Sequence, residues 1–286
     1  MTSVGMRLAV AAALALLLAR RGLKKQSLDV SGAVAAFLVG FGSMAAGYRF
    51  GVLLIGFYFS GSKLTNVRAS VKSRLDANYK VGGQRSAPQV LACSLIATVI
   101  AVYYAFLFGE SDTQAIDFKA APVESALLTA YIGHYACCAA DTWASELGVL
   151  STHDPVLITS FKRVPPGTNG GVSLLGTAAS TAGGAFIGLL YYLVSLLTGG
   201  AQLQVVPFGA VAGLIGSLLD SLLGATLQST YFDPETRQIC EETHSLSANS
   251  RRMHISGLAL LTNEQVNAIS VVLVTLGSVG LAHVLI

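Results

Sequence analysis

Charge is what this sequence has least of. Asp, Glu, Lys and Arg make up 12% of its 286 residues, about half the roughly 25% of a soluble domain. Hydrophobic residues make up 53% and the mean hydropathy is +0.63. That composition excludes an ordinary water-soluble domain. It predicts an all-α, polytopic membrane bundle forming a single integral membrane domain over 1–286. Cysteine is scarce as well. Cys93, Cys137, Cys138 and Cys240 show neither a CxxC nor a Cys/His metal spacing, so no zinc site and no disulfide framework are expected. Cys137 and Cys138 sit in an apolar run and read as small packing residues. The net charge of +3 is small, and no nucleic-acid partner is expected.

What is present is a series of apolar runs. They lie at 4–19, 28–46, 50–64, 90–108, 123–150, 171–197, 207–228 and 266–286. A membrane helix needs about 20 residues, so about eight transmembrane helices are expected. The basic residues Arg20, Arg21, Lys24 and Lys25 follow the first run instead of preceding it. This suits a retained first helix better than a cleaved signal peptide, and no transit peptide is evident. Gly47-Tyr48-Arg49 reads as a tight hairpin, and the short 50–64 run as a tilted or broken helix. Eight spans place the 20–27, 65–87, 151–169 and 229–263 loops on one side. With Lys63 at their edge they hold 15 of the 18 Lys and Arg residues. The opposite 109–122 loop carries Glu110, Asp112 and Asp117 against Lys119 alone. The positive-inside rule then makes the basic loops cytosolic, stromal or matrix-facing.

The strongest polar residues converge on that same side. Asp141 and Glu146 lie inside an apolar segment, where an acidic side chain is costly and points to function. Asp141 is about nine residues from the inner end of its run, so ~13 Å deep. Asp141 shares a helix face with Ser145, and Thr142 with Glu146. Asp220 lies near the inner end of its own run, and Asn263 and Asn267 mark the start of the last. Gly167-Thr168-Asn169-Gly170-Gly171 just precedes an apolar run, which suits a phosphate cradle at a helix N-terminus. Lys63, Gln84, Arg85, Lys162 and Arg163 flank these positions. Carboxylates with phosphate oxygens suit Mg2+, and cations with glycine amides suit phosphoryl transfer.

Ordinary roles account for much of the rest. Gly183-Gly184 and the Gly213/Gly216 pair read as close helix packing. His134, His283 and Trp143 read as packing residues, and His153, His244 and His254 lack metal-ligand spacing. Lys72, Arg74 and Lys80 suit topology or anionic lipid. The 229–263 loop, with Asp233, Glu235, Glu241 and Glu242 among bases, reads as a solvated linker.

Three longer motifs carry a resemblance. GSKLTNVRASVKSRLDANYKVGGQR at 61–85, ADTWASELG at 140–148 and KRVPPGTNGGVSLLGT at 162–177, with the Asn263/Asn267 pair, resemble one integral membrane family. It includes animal transmembrane protein nineteen and the plant phytyl-phosphate kinase of the vitamin E pathway. The likeness runs from about residue 28 to the C-terminus, and the animal branch is the nearer by 61–85. It implies a kinase using CTP or another NTP, with Mg2+ as cofactor. The enzyme would convert an isoprenyl monophosphate (phytyl, farnesyl or geranylgeranyl phosphate) to the diphosphate in the lipid bilayer.

More distantly, Asp141-x-x-Ala144 with the following Lys and Gly-Thr turn resembles membrane CTP-using kinases of phytol and dolichol and CDP-diacylglycerol synthases. Ala140 stands where those motifs have Gly, and Asp220 resembles their second acidic position. On this reading Asp141, Asp220 and Glu146 hold Mg2+, directly or through a second layer for Glu146. Lys162, Arg163 and the 167–171 turn bind nucleotide phosphates, with Asn263 and Asn267 beside them. Lys63, Gln84 and Arg85 bind the acceptor phosphate, and Asp141, Lys162 and Lys63 are catalytic. The endoplasmic reticulum or another endomembrane is expected, with the plastid envelope as the alternative. A transporter or scramblase using buried acids, or a cytidylyltransferase making a CDP-lipid at the same site, are the rival readings.

Overall fold

A computed structural model describes residues 4–77, 79–109, 114–240 and 252–286. Glu110, Asp112, Glu241, Glu242, His244 and Arg251 lie outside the described residues. The chain runs through α1 (Val4–Lys24), α2 (Val30–Ala46), α3 (Tyr48–Thr65), α4 (Ala69–Lys72), α5 (Ala87–Phe108) and α6 (Pro122–Gly148). Then come β1 (Val156–Leu157), β2 (Gly171–Val172), α7 (Leu174–Thr198), α8 (Val205–Leu227), β3 (Thr230–Asp233), β4 (Gln238–Cys240), β5 (Met253–Ser256) and α9 (Asn263–Leu285). The long helices coincide with the eight apolar runs. Four of them, α5, α7, α8 and α9, are long and apolar enough to cross a membrane, and α2 is a shorter apolar helix. The helix ends differ from the runs by up to five residues. α1 continues through Arg20 to Lys24, and α3 is one unbroken helix separated from α2 by Gly47 alone.

Local chemistry starts several of these helices where they should start. The Asp29 carboxylate accepts from the Gly32 amide at the head of α2. Ser173 caps α7 by accepting from the Gly176 amide. Thr262 and Gln265 form a reciprocal capping box on α9, which satisfies two otherwise orphaned amides. Pro122 opens α6, a first-turn position that has no amide to lose.

Helix α6 is the axis of the bundle. Every residue from Leu128 to Ala140 is buried, so it is covered on all sides, as a core helix must be. Its neighbours are α3, α5, α7, α8 and α9. Helices α7 and α8 approach each other backbone to backbone. A Cβ on Gly184 would lie 2.2 Å from the Gly209 carbonyl oxygen, so only glycine permits this backbone contact. Gly183, Gly213 and Gly216 press on α6 in the same way, as the packing reading requires. Trp143 packs on Phe186 and donates to Ser60 Oγ. His134 is fully buried between Thr275 and the Cys93 carbonyl. Both are packing residues, and all four cysteines are free.

A second layer of α1 and α2 packs outside, with α2 against α3 and α5. The 229–263 stretch is not simply a linker. Strands β4, β3 and β5 form an antiparallel sheet in that order. The sheet is pinned to the basic segment after α4, because the Ala77 amide donates to the Ile239 carbonyl and the Ile239 amide to the Leu75 carbonyl.

Candidate functional site

The continuous buried stretch of α6 ends at Ala140, and the next residue is Asp141. From there the helix faces a polar cavity of about 330 Å3. Asp141, Thr142, Ser145 and Glu146 of α6 line it, opposite Ser217, Asp220 and Ser221 of α8, with Asn263 and Asn267 of α9. The 167–171 turn forms another wall. Residues more than 120 positions apart thus meet at one end of the bundle.

The two aspartates are held differently. Asp220 accepts a hydrogen bond of 2.8 Å from Ser270 on α9. Asp141 makes no hydrogen bond or ion pair among the described residues. A carboxylate in that setting is costly unless something else satisfies it. Among the described residues no group of three or more His, Cys, Asp and Glu is placed to hold a metal ion. Asp141 and Asp220 are two hard oxygen donors on one cavity, with Asn263 and Asn267 also lining it, and Mg2+ is the ion such oxygens suit. That ion is commonly held by one or two carboxylates while water and phosphate fill the rest.

The turn reaches the acids because glycine lets it. Gly170 has φ of +76°, and a Cβ there would fall 2.4 Å from the Ala225 Cβ and 2.5 Å from the Ser221 carbonyl. The loop therefore lies directly on the end of α8, one turn from Asp220. Thr168 is buried, and its hydroxyl donates to the Pro165 carbonyl within the turn. The expected cradle differs in one respect. Gly171 enters strand β2 before the helix begins, and Ser173 takes the Gly176 amide. The start of α7 borders the cavity, but that first-turn amide is already satisfied.

Several expected cations are elsewhere. Lys162 and Arg163 are exposed and do not line the cavity. The chain reverses tightly after β1, with the Ser160 and Phe161 amides donating to the Leu157 carbonyl, and Val156 bridges back to Arg163. This turn carries both side chains to its outer end. Lys63 is exposed in the last turn of α3 and also lies outside the cavity. Gln84 lines an adjoining outer basin of about 760 Å3 instead.

Glu146 borders the cavity, but Thr65 Oγ1 donates to one of its oxygens and Lys72 Nζ to the other, each at 2.5 Å. It anchors neighbouring segments, and any metal contact would be second-layer. Lys72 itself is buried and also donates to the Leu64 and Thr65 carbonyls. Nothing in the spacing of the 61–85 segment separates it from its exposed basic neighbours.

Arg85 is the expected cation that does arrive. It lines the polar cavity, the outer basin and a third, apolar cavity, as does Gln89. Its guanidinium donates to Ser62 Oγ at 3.2 Å. The apolar cavity lies between α1, α2, α3 and α5, and shares Arg85, Gln89, Thr142 and Asn267 with the polar one. Arg49 marks the other end of the bundle. Buried there, it donates to Tyr104, Tyr191 and the Gln114 carbonyl, and Tyr104 bonds Glu124.

The sequence profile of integral membrane protein DUF92 matches residues 13–275. The chain belongs to the DUF92 family. That match covers both cavities and every residue of the polar site. Among similar proteins, Protein PGR of Arabidopsis thaliana is 43% identical over 279 residues, 95% of each chain. An uncharacterized membrane protein of Methanocaldococcus jannaschii is 31% identical over 206 residues, 72% of this chain and 76% of its own. Protein VTE6, chloroplastic, also of Arabidopsis thaliana, is 28% identical over 205 residues, 70% of this chain and 56% of its own. No solved structure matches this DUF92 chain.

Proposed function

We propose that this protein is a membrane kinase that moves a phosphoryl group from a nucleoside triphosphate, CTP first, to an isoprenyl monophosphate. Phytyl, farnesyl and geranylgeranyl phosphate are the acceptors of choice. One observation carries the reading. An unpartnered Asp141 lines a polar cavity with Asp220 and the 167–171 turn, and that cavity adjoins an apolar one through Arg85, Gln89, Thr142 and Asn267. The resemblance of the 61–85, 140–148 and 162–177 motifs to the family of the plant phytyl-phosphate kinase supports it independently.

In this reading Asp141 and Asp220 hold Mg2+, with Asn263 and Asn267 close by. When bound, the ion neutralises and orients phosphate oxygens. Ser270 keeps the Asp220 carboxylate aimed. The backbone of the 167–171 turn borders the nucleotide phosphates. Of the groups expected at the acceptor phosphate, Arg85 is the one that lines the cavity, and Lys63 takes no part. An oxygen of that phosphate forms a bond to the γ-phosphorus, the bond from the γ-phosphorus to the bridging β-oxygen breaks, and CDP leaves. Catalysis of this kind is mostly positioning and charge stabilisation. The chloroplastic relative VTE6 favours a plastid membrane over the endoplasmic reticulum.

The test is purified protein in detergent with labelled CTP, Mg2+ and each prenyl phosphate. Formation of CDP and prenyl diphosphate supports the kinase. Release of pyrophosphate with a CDP-lipid would replace it by a cytidylyltransferase. No transfer to any acceptor would sink both.

A further inference from the structure

We infer that the outer basin takes the nucleoside half of the triphosphate, with the Gln228 amide reading the edge of the base and Tyr79 covering its face. The inference rests on the kinase reading for its phosphates. The apolar cavity, the polar cavity and the basin follow one another along two helices. On α6, Thr142 lines the first two, whereas Ser145, Glu146 and Val149, further toward the helix end, line the last two. On α9, Asn267 lines the first two and Asn263, one turn earlier, the last two. In phosphoryl transfer the attacking and leaving oxygens lie roughly in line. An acceptor phosphate that enters from the apolar side therefore assigns the basin to the departing nucleotide.

The basin suits the uncharged part of that molecule. Its volume of about 760 Å3 is that of a small-molecule site. Asp76, Glu146 and Glu264 on its wall balance Lys72, Lys80 and Arg85, so it lacks the cation excess that a triphosphate needs. Tyr79 is the one aromatic residue lining it among the described residues. An aromatic ring accepts any base by stacking. Gln228 carries the argument furthest. It directly follows α8, is only 5% exposed and lines the basin. Its backbone is held, because a Cβ on Gly257 would fall 2.0 Å from its carbonyl oxygen. Its side-chain amide nevertheless makes no hydrogen bond among the described residues. A buried amide without partners is costly, and it offers a donor and an acceptor side by side. The edge of a nucleobase presents the complementary pair, which is how Gln reads bases in nucleic acids.

The experiment is equilibrium binding to the full chain in detergent with Mg2+ and no lipid. The probes are CTP, UTP, ATP, GTP and inorganic tripolyphosphate, which has phosphates and no base. Native protein should bind its preferred nucleotide about tenfold or more tighter than tripolyphosphate, and should bind the four nucleotides unequally. Gln228→Leu, close in size, should bring the four to similar affinity and leave tripolyphosphate binding unchanged. Tyr79→Leu should weaken all four alike and keep their order. Melting curves show whether each variant is folded. Where Gln228→Leu is not, Gln228→Glu, which keeps the acceptor and loses the donor, should reorder the four. Native protein that binds tripolyphosphate as tightly as every nucleotide overturns the inference, as does an unaltered base preference in the folded Gln228 variant. Base preference that depends on Gln228, with no transfer to any prenyl phosphate, overturns the kinase reading alone. Transfer by a Gln228 variant with native base preference overturns this inference alone.

Discussion

Lys72 Nζ lies 2.5 Å from a carboxylate oxygen of Glu146, tying the four-residue helix α4 to the last turns of α6. The lysine side chain is 8% exposed and the glutamate 20%. Thr65 holds the other glutamate oxygen. The contact fixes the wall between the polar cavity and the outer basin, both of which Glu146 lines.

Removing one partner leaves the other poorly solvated. Lys72→Met should lower stability by about 2 kcal/mol, the scale of a charged hydrogen bond lost in a partly buried site. Lys63→Met, at an exposed position, should stay within about 0.5 kcal/mol. Thermal melts in detergent, with Glu146→Gln completing a double-mutant cycle, read both. Equal losses for the two lysines would refute the difference in burial.

Asp141→Asn should lower turnover by roughly 10^2-fold or more, the scale of losing one key electrostatic group, with an unchanged melting curve. Asp220→Asn should do likewise. Ser270→Ala should act more mildly, because it only frees the Asp220 carboxylate. Rates measured across Mg2+ concentrations check this. Asp141→Asn protein with native turnover would remove that residue from the site.

Gly170→Ala should displace the 167–171 turn from α8. It adds a Cβ at positive φ into the Ala225 side chain and the Ser221 carbonyl. A cost of about 1–3 kcal/mol is expected from strain and overlap. Gly277→Ala on α9, with nothing within 4 Å of its Cβ, should be neutral or slightly stabilising. Paired melting curves separate the two.

Asp29 caps α2 ahead of its apolar stretch. The Gly32 amide, and then the Ser31 hydroxyl, hold its carboxyl below the usual range. A lowered folded-state pKa stabilises the fold at pH above the ordinary carboxylate value, and that contribution is lost as pH falls through the lowered one. The melting-temperature gap between native protein and Asp29→Ala should therefore be flat above about pH 5 and narrow on acidification. A gap that widens in acid would contradict this.

Much of the site was legible because polarity is conspicuous among apolar residues. Asp141, Asp220, the 167–171 turn and the Asn263/Asn267 pair stand out in the sequence, and all line one cavity. The lysines were not legible in this way. Lys63, Lys72 and Lys162 look alike in basic loops, yet Lys72 is buried and the other two are exposed. The sheet within 229–263 was also missed, since its strands have only three or four residues.

The chain's own chemistry determines that this is a membrane bundle, roughly where its long helices lie, and at which end its acids lie. Apolar length, capping residues and charge placement are local properties, so they can be read without a partner. Which cations turn inward is decided by the fold. It depends on β4 holding the 73–77 segment and on the reversal after β1. These are contacts between distant segments, and a loop carries no periodicity that would announce them.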